Sequence, residues 1–269
     1  MAKRISHQRI TDIMLTMTKQ ALDDLARFEH HKKWTVRLLA MHLNIDQSTA
    51  NRRLRRLVDL SLLARRPGDR QERGRSPDLY YLTPLGAVVL TRYLQRETGI
   101  EAPSIANPAS NVHDLLVLEL AIRLGWEKIR HREKITLTQY RWQTDRKLEP
   151  TGETFSLVPD LIIHGSDSMD TFIEVEQTAH YKHIRRKYET YMQVAYTYLA
   201  EDRGLPYLYF IFGDEQQERS LLPLHMQALR EVYRPLMVVG YTHMEAVRSR
   251  DVRSLTDLDE IVHIEGGDF

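Results

Sequence analysis

Between Ser6 and His31 apolar residues return every third or fourth position: Ile10, Ile13, Met14, Met17, Ala21, Leu25 and Phe28. One stripe at that period predicts a single helix. Trp34 to Leu43 predicts a short second helix, and Asn44-Ile45-Asp46 a tight turn. Gln47 to Leu60 reads as a third, with Ala50, Leu54, Leu57 and Val58 inward and Gln47, Ser48, Asn51, Arg52 and Arg55 outward. Ser61 to Arg66 reads as a strand, Pro67 to Ser76 as a tip, and Leu79 to Leu82 as a returning strand. Thr83-Pro84 then supplies the cap and first position of a further helix. A support helix, a turn, an exposed helix and a two-stranded wing make a winged helix-turn-helix over residues 1–100.

Residues 101–110 hold Pro103 and Pro108 among small residues and read as a linker. The remainder, 111–269, predicts the order α-β-β-β-α-β. A helix from Asn111 to Arg130 is striped by Leu115, Leu118, Ile122, Trp126 and Ile129, and Lys134 to Trp142 forms a strand. Leu157–His164 and Thr171–Gln177 are β-branched apolar runs joined by Gly165-Ser166-Asp167-Ser168, a hairpin. A helix over Thr178–Leu199 and a strand over Pro206–Phe212 follow. A tail adds a helix near Leu221–Val232 and strands near Leu236–Tyr241 and Ile261–Ile264. The expected class is α/β (α+β) with two domains.

Charge sharpens the first domain. The net charge of +1 conceals 19 Lys and Arg against 10 Asp and Glu in residues 1–100, and 19 against 27 afterwards. A basic front half on a winged helix points to double-stranded DNA. Gln47, Ser48, Asn51, Arg52 and Arg55 carry donors and acceptors for base edges and phosphates, and Arg70, Arg73 and Arg75 make the wing tip basic. Such domains commonly read two half-sites, so a homodimer is expected. The absence of cysteine excludes disulfides and thiolate metal sites. No apolar run reaches 18 residues and no secretory h-region opens the chain, so a cytoplasmic protein with no membrane span is expected.

The second domain's chemistry lies in its hairpin. Asp160 sits in the first strand; Glu174 and Glu176, of one parity, project from one face of the second. Close-set carboxylates in a buried hairpin repel and lose hydration, so a divalent cation or a hydrogen-bond network is expected beside them. Pro159-Asp160 with Glu174-Val175-Glu176 resembles the PD-(D/E)xK nuclease superfamily, which implies a restriction-endonuclease-like αβββαβ domain. That resemblance implies Mg²⁺ or Mn²⁺ held by Asp160 and Glu174, and Glu176 orienting or deprotonating the attacking water. The superfamily usually places Lys where this chain has Glu176, and Lys182 or Lys187 on the following helix can supply the missing cation. Glu119 on the preceding helix is either a fourth acid of the site or one end of an interhelix salt bridge.

Other side chains leave two readings open. His113 either reaches the active face or caps its helix. His180 and His183 share a helix face but lack an obvious third ligand for zinc. Tyr188 and Tyr191 either form a covalent DNA intermediate or pack in the core.

Taken together, Arg52-Arg53-Leu54-Arg55-Arg56-Leu57, Tyr81-Leu82-Thr83-Pro84-Leu85-Gly86, His113, the acidic residues above and Lys187-Tyr188-Glu189-Thr190-Tyr191 resemble the replication-relaxation family of plasmids and mobile elements. That resemblance implies a part in plasmid replication and DNA relaxation, with replication or mobilisation proteins as partners. Two functions follow: a metal-dependent DNA endonuclease or nickase steered by a winged helix, or a non-enzymatic initiator or repressor whose nuclease-like domain is a scaffold.

Overall fold

The computed structural model describes residues 6–68, 70–71, 74–75, 77–96, 99–103, 108–144, 147–164, 169–177, 179–232 and 237–265. The chain divides into two compact units, 1–122 and 123–269.

The first unit opens with α1 (His7–Thr16) and α2 (Lys19–Ala26), where the apolar stripe predicted one helix. Met17 is extended, and the Thr18 hydroxyl accepts the Ala21 N–H to start a new helix. The stripe survives the break, since Ile10, Met17, Ala21, Leu25 and Phe28 are all buried. Periodicity reports the buried face and is blind to a cap inside it.

Next come β1 (Lys33–Trp34), α3 (Val36–Leu43) and α4 (Gln47–Asp59). Lys33 and Trp34 pair with Tyr81 and Tyr80, so Trp34 belongs to a strand and not to the helix that its apolar neighbours predicted. Asn44 turns the chain at φ 51°, and Asp46 caps α4 by accepting the Thr49 N–H. Ala50, Leu54 and Leu57 face the core as their spacing requires. Then follow β2 (Leu63–Arg66), the short wing strands β3 (Arg70–Gln71) and β4 (Gly74–Arg75), β5 (Leu79–Leu82), α5 (Pro84–Tyr93) and α6 (Pro108–Leu124). The sheet order is β1-β5-β2, antiparallel throughout. This is a winged helix-turn-helix. The first unit runs on to Ile122 and takes most of α6, beyond the 101–110 stretch.

Gly125, at φ +96°, ends α6 well before Arg130. A 3-10 turn at Trp126–Lys128 leads into β6 (Ile129–His131). β7 (Ile135–Thr144) and β8 (Lys147–Leu157) then form their own two-stranded ribbon. The main sheet continues with β9 (Leu161–His164), β10 (Asp170–Glu176), α7 (Tyr181–Ala200), β11 (Tyr207–Phe212), α8 (Glu215–Val232), β12 (Val238–His243), α9 (Met244–Ser249), α10 (Leu255–Asp259) and β13 (His263–Glu265). Its order is β13-β12-β11-β10-β9-β6. β10, β11 and β12 run parallel across the α7 and α8 crossovers, while β6, β9 and β13 run antiparallel to their neighbours.

The order α6-β6-β9-β10-α7-β11 is α-β-β-β-α-β, but its first strand is β6. The long run from Lys134 was expected to fill that place. It belongs instead to the ribbon, whose apolar face lies on α7, where the Thr197 hydroxyl donates to the Thr138 carbonyl at 2.8 Å. A three-residue strand is too short to show a period, so the longer run drew the assignment.

Gly86 in α5 lies against the Leu62 carbonyl; a Cβ there would stand 2.0 Å from that oxygen. Gly86→Ala is therefore expected to destabilise the chain by about 1–3 kcal/mol through overpacking. Thermal denaturation checks it, and an unchanged melting temperature would contradict the packing.

Candidate active site and nucleic-acid interface

In the second unit the acidic residues converge where β9 and β10 begin to separate. Leu161 pairs with Ile173, and continuing that register sets Asp160 opposite Glu174. Asp160 lies one residue before β9, not inside a strand, and follows Pro159, which has no N–H to donate to a ladder. Its Oδ2 accepts the Val175 N–H at 2.9 Å. Glu174 and Glu176 point to one side of β10, both buried, with Glu176 2 % exposed. Lys187, two turns into α7, places Nζ 3.0 Å from Glu174 Oε2 and 3.0 Å from Glu176 Oε2. The Tyr191 hydroxyl, one helical turn further on, donates to Glu174 Oε1 at 2.5 Å. Glu176 Oε1 accepts the Gln177 N–H at 3.0 Å.

The electrostatics follow from burial. Desolvation pushes the Glu174 carboxyl above its usual range; Lys187 pulls it back, and the like charge of Asp160 adds to the rise. Burial works against the Lys187 ammonium, but Glu174 and Glu176 outweigh it and hold its pKa above the usual lysine value. Burial, then Glu174, raises the Tyr191 phenol well above the ordinary value. Among the described residues no three His, Cys, Asp or Glu side chains stand together as metal ligands. Asp160 and Glu174 offer two carboxylates, and Mg²⁺ is commonly held by one or two carboxylates with its remaining positions on water. Their oxygens are donors of the kind a hard divalent cation takes, and in this structure both Glu174 oxygens meet Lys187 and Tyr191 while Asp160 Oδ2 meets the Val175 N–H.

Beside this cluster lies a network that spacing alone did not reveal. The Tyr188 hydroxyl is 3.0 Å from His225 Nδ1 and 2.7 Å from the Tyr241 hydroxyl. His225 is fully buried among Phe210, Phe212 and Tyr241, and burial, with repulsion from Lys187 second, pushes its pKa down to about 3. Tyr188 and Tyr191 are 1 % and 2 % exposed, so both are core residues and neither phenol is placed for covalent attack on a duplex. Lys182 is exposed, and the rings of His180 and His183 stand 5.9 Å apart, both exposed.

In the first unit α4 presents Gln47, Ser48, Arg52 and Arg55 to solvent. Ser48 donates to Asp46 at 2.5 Å as part of the cap, and Asn51 accepts from the Tyr80 hydroxyl at 3.0 Å. Arg53 turns inward to Asp24 at 2.5 Å. Arg70 and Arg75 pair across the wing ribbon, whereas Arg73 lies outside the described residues. Glu119 pairs with Arg37 of α3 at 2.6 Å, an ion pair between helices. His113 lies 3.9 Å from Asp114.

A winged helix-turn-helix in one unit, and in the other a mixed sheet whose α7 crossover carries a lysine to buried glutamates, define a two-part α/β protein. The replication-relaxation family model matches residues 22–206, and the chain belongs to that family. No curated protein matches it. Among solved structures, the adhesin competence repressor AdcR from Streptococcus pyogenes is 19 % identical, covers 33 % of this chain and 67 % of its own, and has a TM-score of 0.25. No helix among the described residues is long and apolar enough to cross a membrane.

The raised Glu174 carboxyl makes a signed prediction. Its contribution to stability is complete below its unfolded value of about 4.5 and is lost as pH rises through the higher folded value. From about pH 4 to pH 8 the wild type is therefore expected to lose melting temperature relative to Glu174→Gln. Parallel curves would contradict the assignment.

Proposed function

We propose that the chain is a DNA-binding protein of plasmid or mobile-element replication whose second unit hydrolyses phosphodiesters with a divalent metal, as an endonuclease or nickase. The observation that carries this reading is Asp160 set opposite Glu174, with Glu176 on the same face of β10. Lys187 stands beside both glutamates and supplies from α7 the cation that the strand lacks at Glu176. Family membership supports the replication role, and the exposed arginines of α4 support duplex DNA as partner. A homodimer reading two half-sites goes with that partner.

Asp160 and Glu174 would hold Mg²⁺ or Mn²⁺, with the Val175 carbonyl as a third ligand. The bound ion would lower the pKa of a water and stabilise charge on the phosphate. Glu176 would orient a water and take its proton, with the leaving oxygen protonated from solvent. Lys187 would offset charge on the phosphate and keep Glu174 and Glu176 in place. Tyr191 fixes the Glu174 carboxylate in one rotamer. The same lysine supports a second reading, because a salt bridge that satisfies both glutamates is also what a catalytically silent scaffold would contain.

Supercoiled plasmid with Mg²⁺ or Mn²⁺ separates the two. The nuclease reading expects nicking that falls at least about a hundredfold in both Asp160→Ala and Glu174→Ala. No nicking by the wild type, with salt-sensitive DNA binding kept by both variants, leaves the initiator or repressor.

A further inference from the structure

Arg37 is the second residue of α3, the support helix of the helix-turn-helix. Its side chain is half exposed, at 50 %, yet its guanidinium is held from behind. Nη2 lies 2.6 Å from Glu119 Oε2 and Nη1 lies 3.4 Å from Oε1. The Glu119 side chain is 2 % exposed. Arg37 lines one surface pocket with Gln47, Asn51, Arg55, Tyr80 and an Arg65 that is paired with Asp78 of the same pocket. These residues are the start of the exposed helix and the strands at the base of the wing.

An arginine has five N–H donors in a rigid fork, and a carboxylate on its inner edge leaves others for a second acceptor. A surface arginine normally gives up rotamer freedom when it meets a phosphate. One already fixed by a buried carboxylate has lost that freedom on folding. From the buried Glu119, the half-exposed fork and the shared pocket we infer that Arg37 contacts the DNA backbone beside the bases that α4 reads, and that Glu119 is its positioning residue. This rests on the reading of the first unit as a DNA-binding domain. It gives Glu119 a role in holding DNA, in place of a role as a fourth acid.

The competing account is a plain tie between α3 and α6, and two kinds of variant separate them in the full-length chain. Arg37→Gln/Glu119→Gln keeps a neutral hydrogen-bonded pair, and Arg37→Met/Glu119→Leu keeps an apolar one; whichever melts as the wild type does carries the test. The probe is a labelled mixed-sequence duplex of about 30 base pairs, with binding followed by anisotropy from about 50 to 200 mM salt. The proposal expects affinity about tenfold weaker and a salt slope smaller by about 1. Glu119→Asp keeps the charge but withdraws the carboxylate by one methylene, and it is expected to weaken binding severalfold at a temperature where it is fully folded. Wild-type affinity and slope in the folded double variant overturn the proposal while leaving the DNA-binding reading intact. A wild-type chain that binds no duplex overturns both.

Discussion

One ammonium inside the second unit sets the terms for the rest of it. Glu174 and Glu176 are buried on one face of a central strand, where a bare carboxylate pair would not be tolerated. Lys187 answers both, and it can do so only because α7 returns over β10 on its way to β11. Withdrawing one partner from such a group costs on the order of 3–5 kcal/mol, since the charge left behind is stranded. Parallel pairing of β10 with β11, the α7 crossover and the acid site are thus parts of one arrangement. Tyr191 extends it along the same helix face.

The first unit solves a similar problem differently. Its ion pairs join elements distant in sequence: Arg53 to Asp24, Lys33 to Asp114 at 2.6 Å, and Arg37 to Glu119. Lys33 is 4 % exposed and Asp24 3 %, so the first two pairs lie largely out of water, whereas Arg37 is half exposed. Arg53 ties α4 to α2, Arg37 ties α3 to α6, and Lys33 ties β1 to α6. Arg53, which α4 does not turn to solvent, thereby becomes structural.

Much of this was legible beforehand where a period was long or a cap was chemically explicit. The Gln47–Leu60 stripe, the Asn44-Ile45-Asp46 turn and the Thr83-Pro84 start each rest on a local rule, and each lies within a residue of its place. The parity of Glu174 and Glu176 was readable because strands alternate strictly. What failed was non-local or very short. The break at Thr18 hides inside a continuous stripe, and β1 and β6 are too brief to have a pattern. The long run of β7 could not reveal that its partner is β8 and not the main sheet. His225 falls on the buried stripe of α8 with Leu221, Ala228 and Leu229, but that spacing cannot say that Phe210, Phe212 and Tyr241 enclose it or that Tyr188 meets its ring. Tyr191 was visible as a helix-stripe residue, but its hold on Glu174 depends on how α7 lies over β10.

The dependence of the site on Lys187 is open to direct measurement by exchanging the charges. Melting temperatures would be compared for the wild type, Glu176→Lys, Lys187→Glu and the double exchange. Either single change places like charges in a buried space, whereas the exchange rebuilds an opposite pair beside Glu174. If the bridge organises the unit, both single variants melt well below the wild type and the double exchange recovers most of the loss. Losses that simply add in the double variant would contradict that claim.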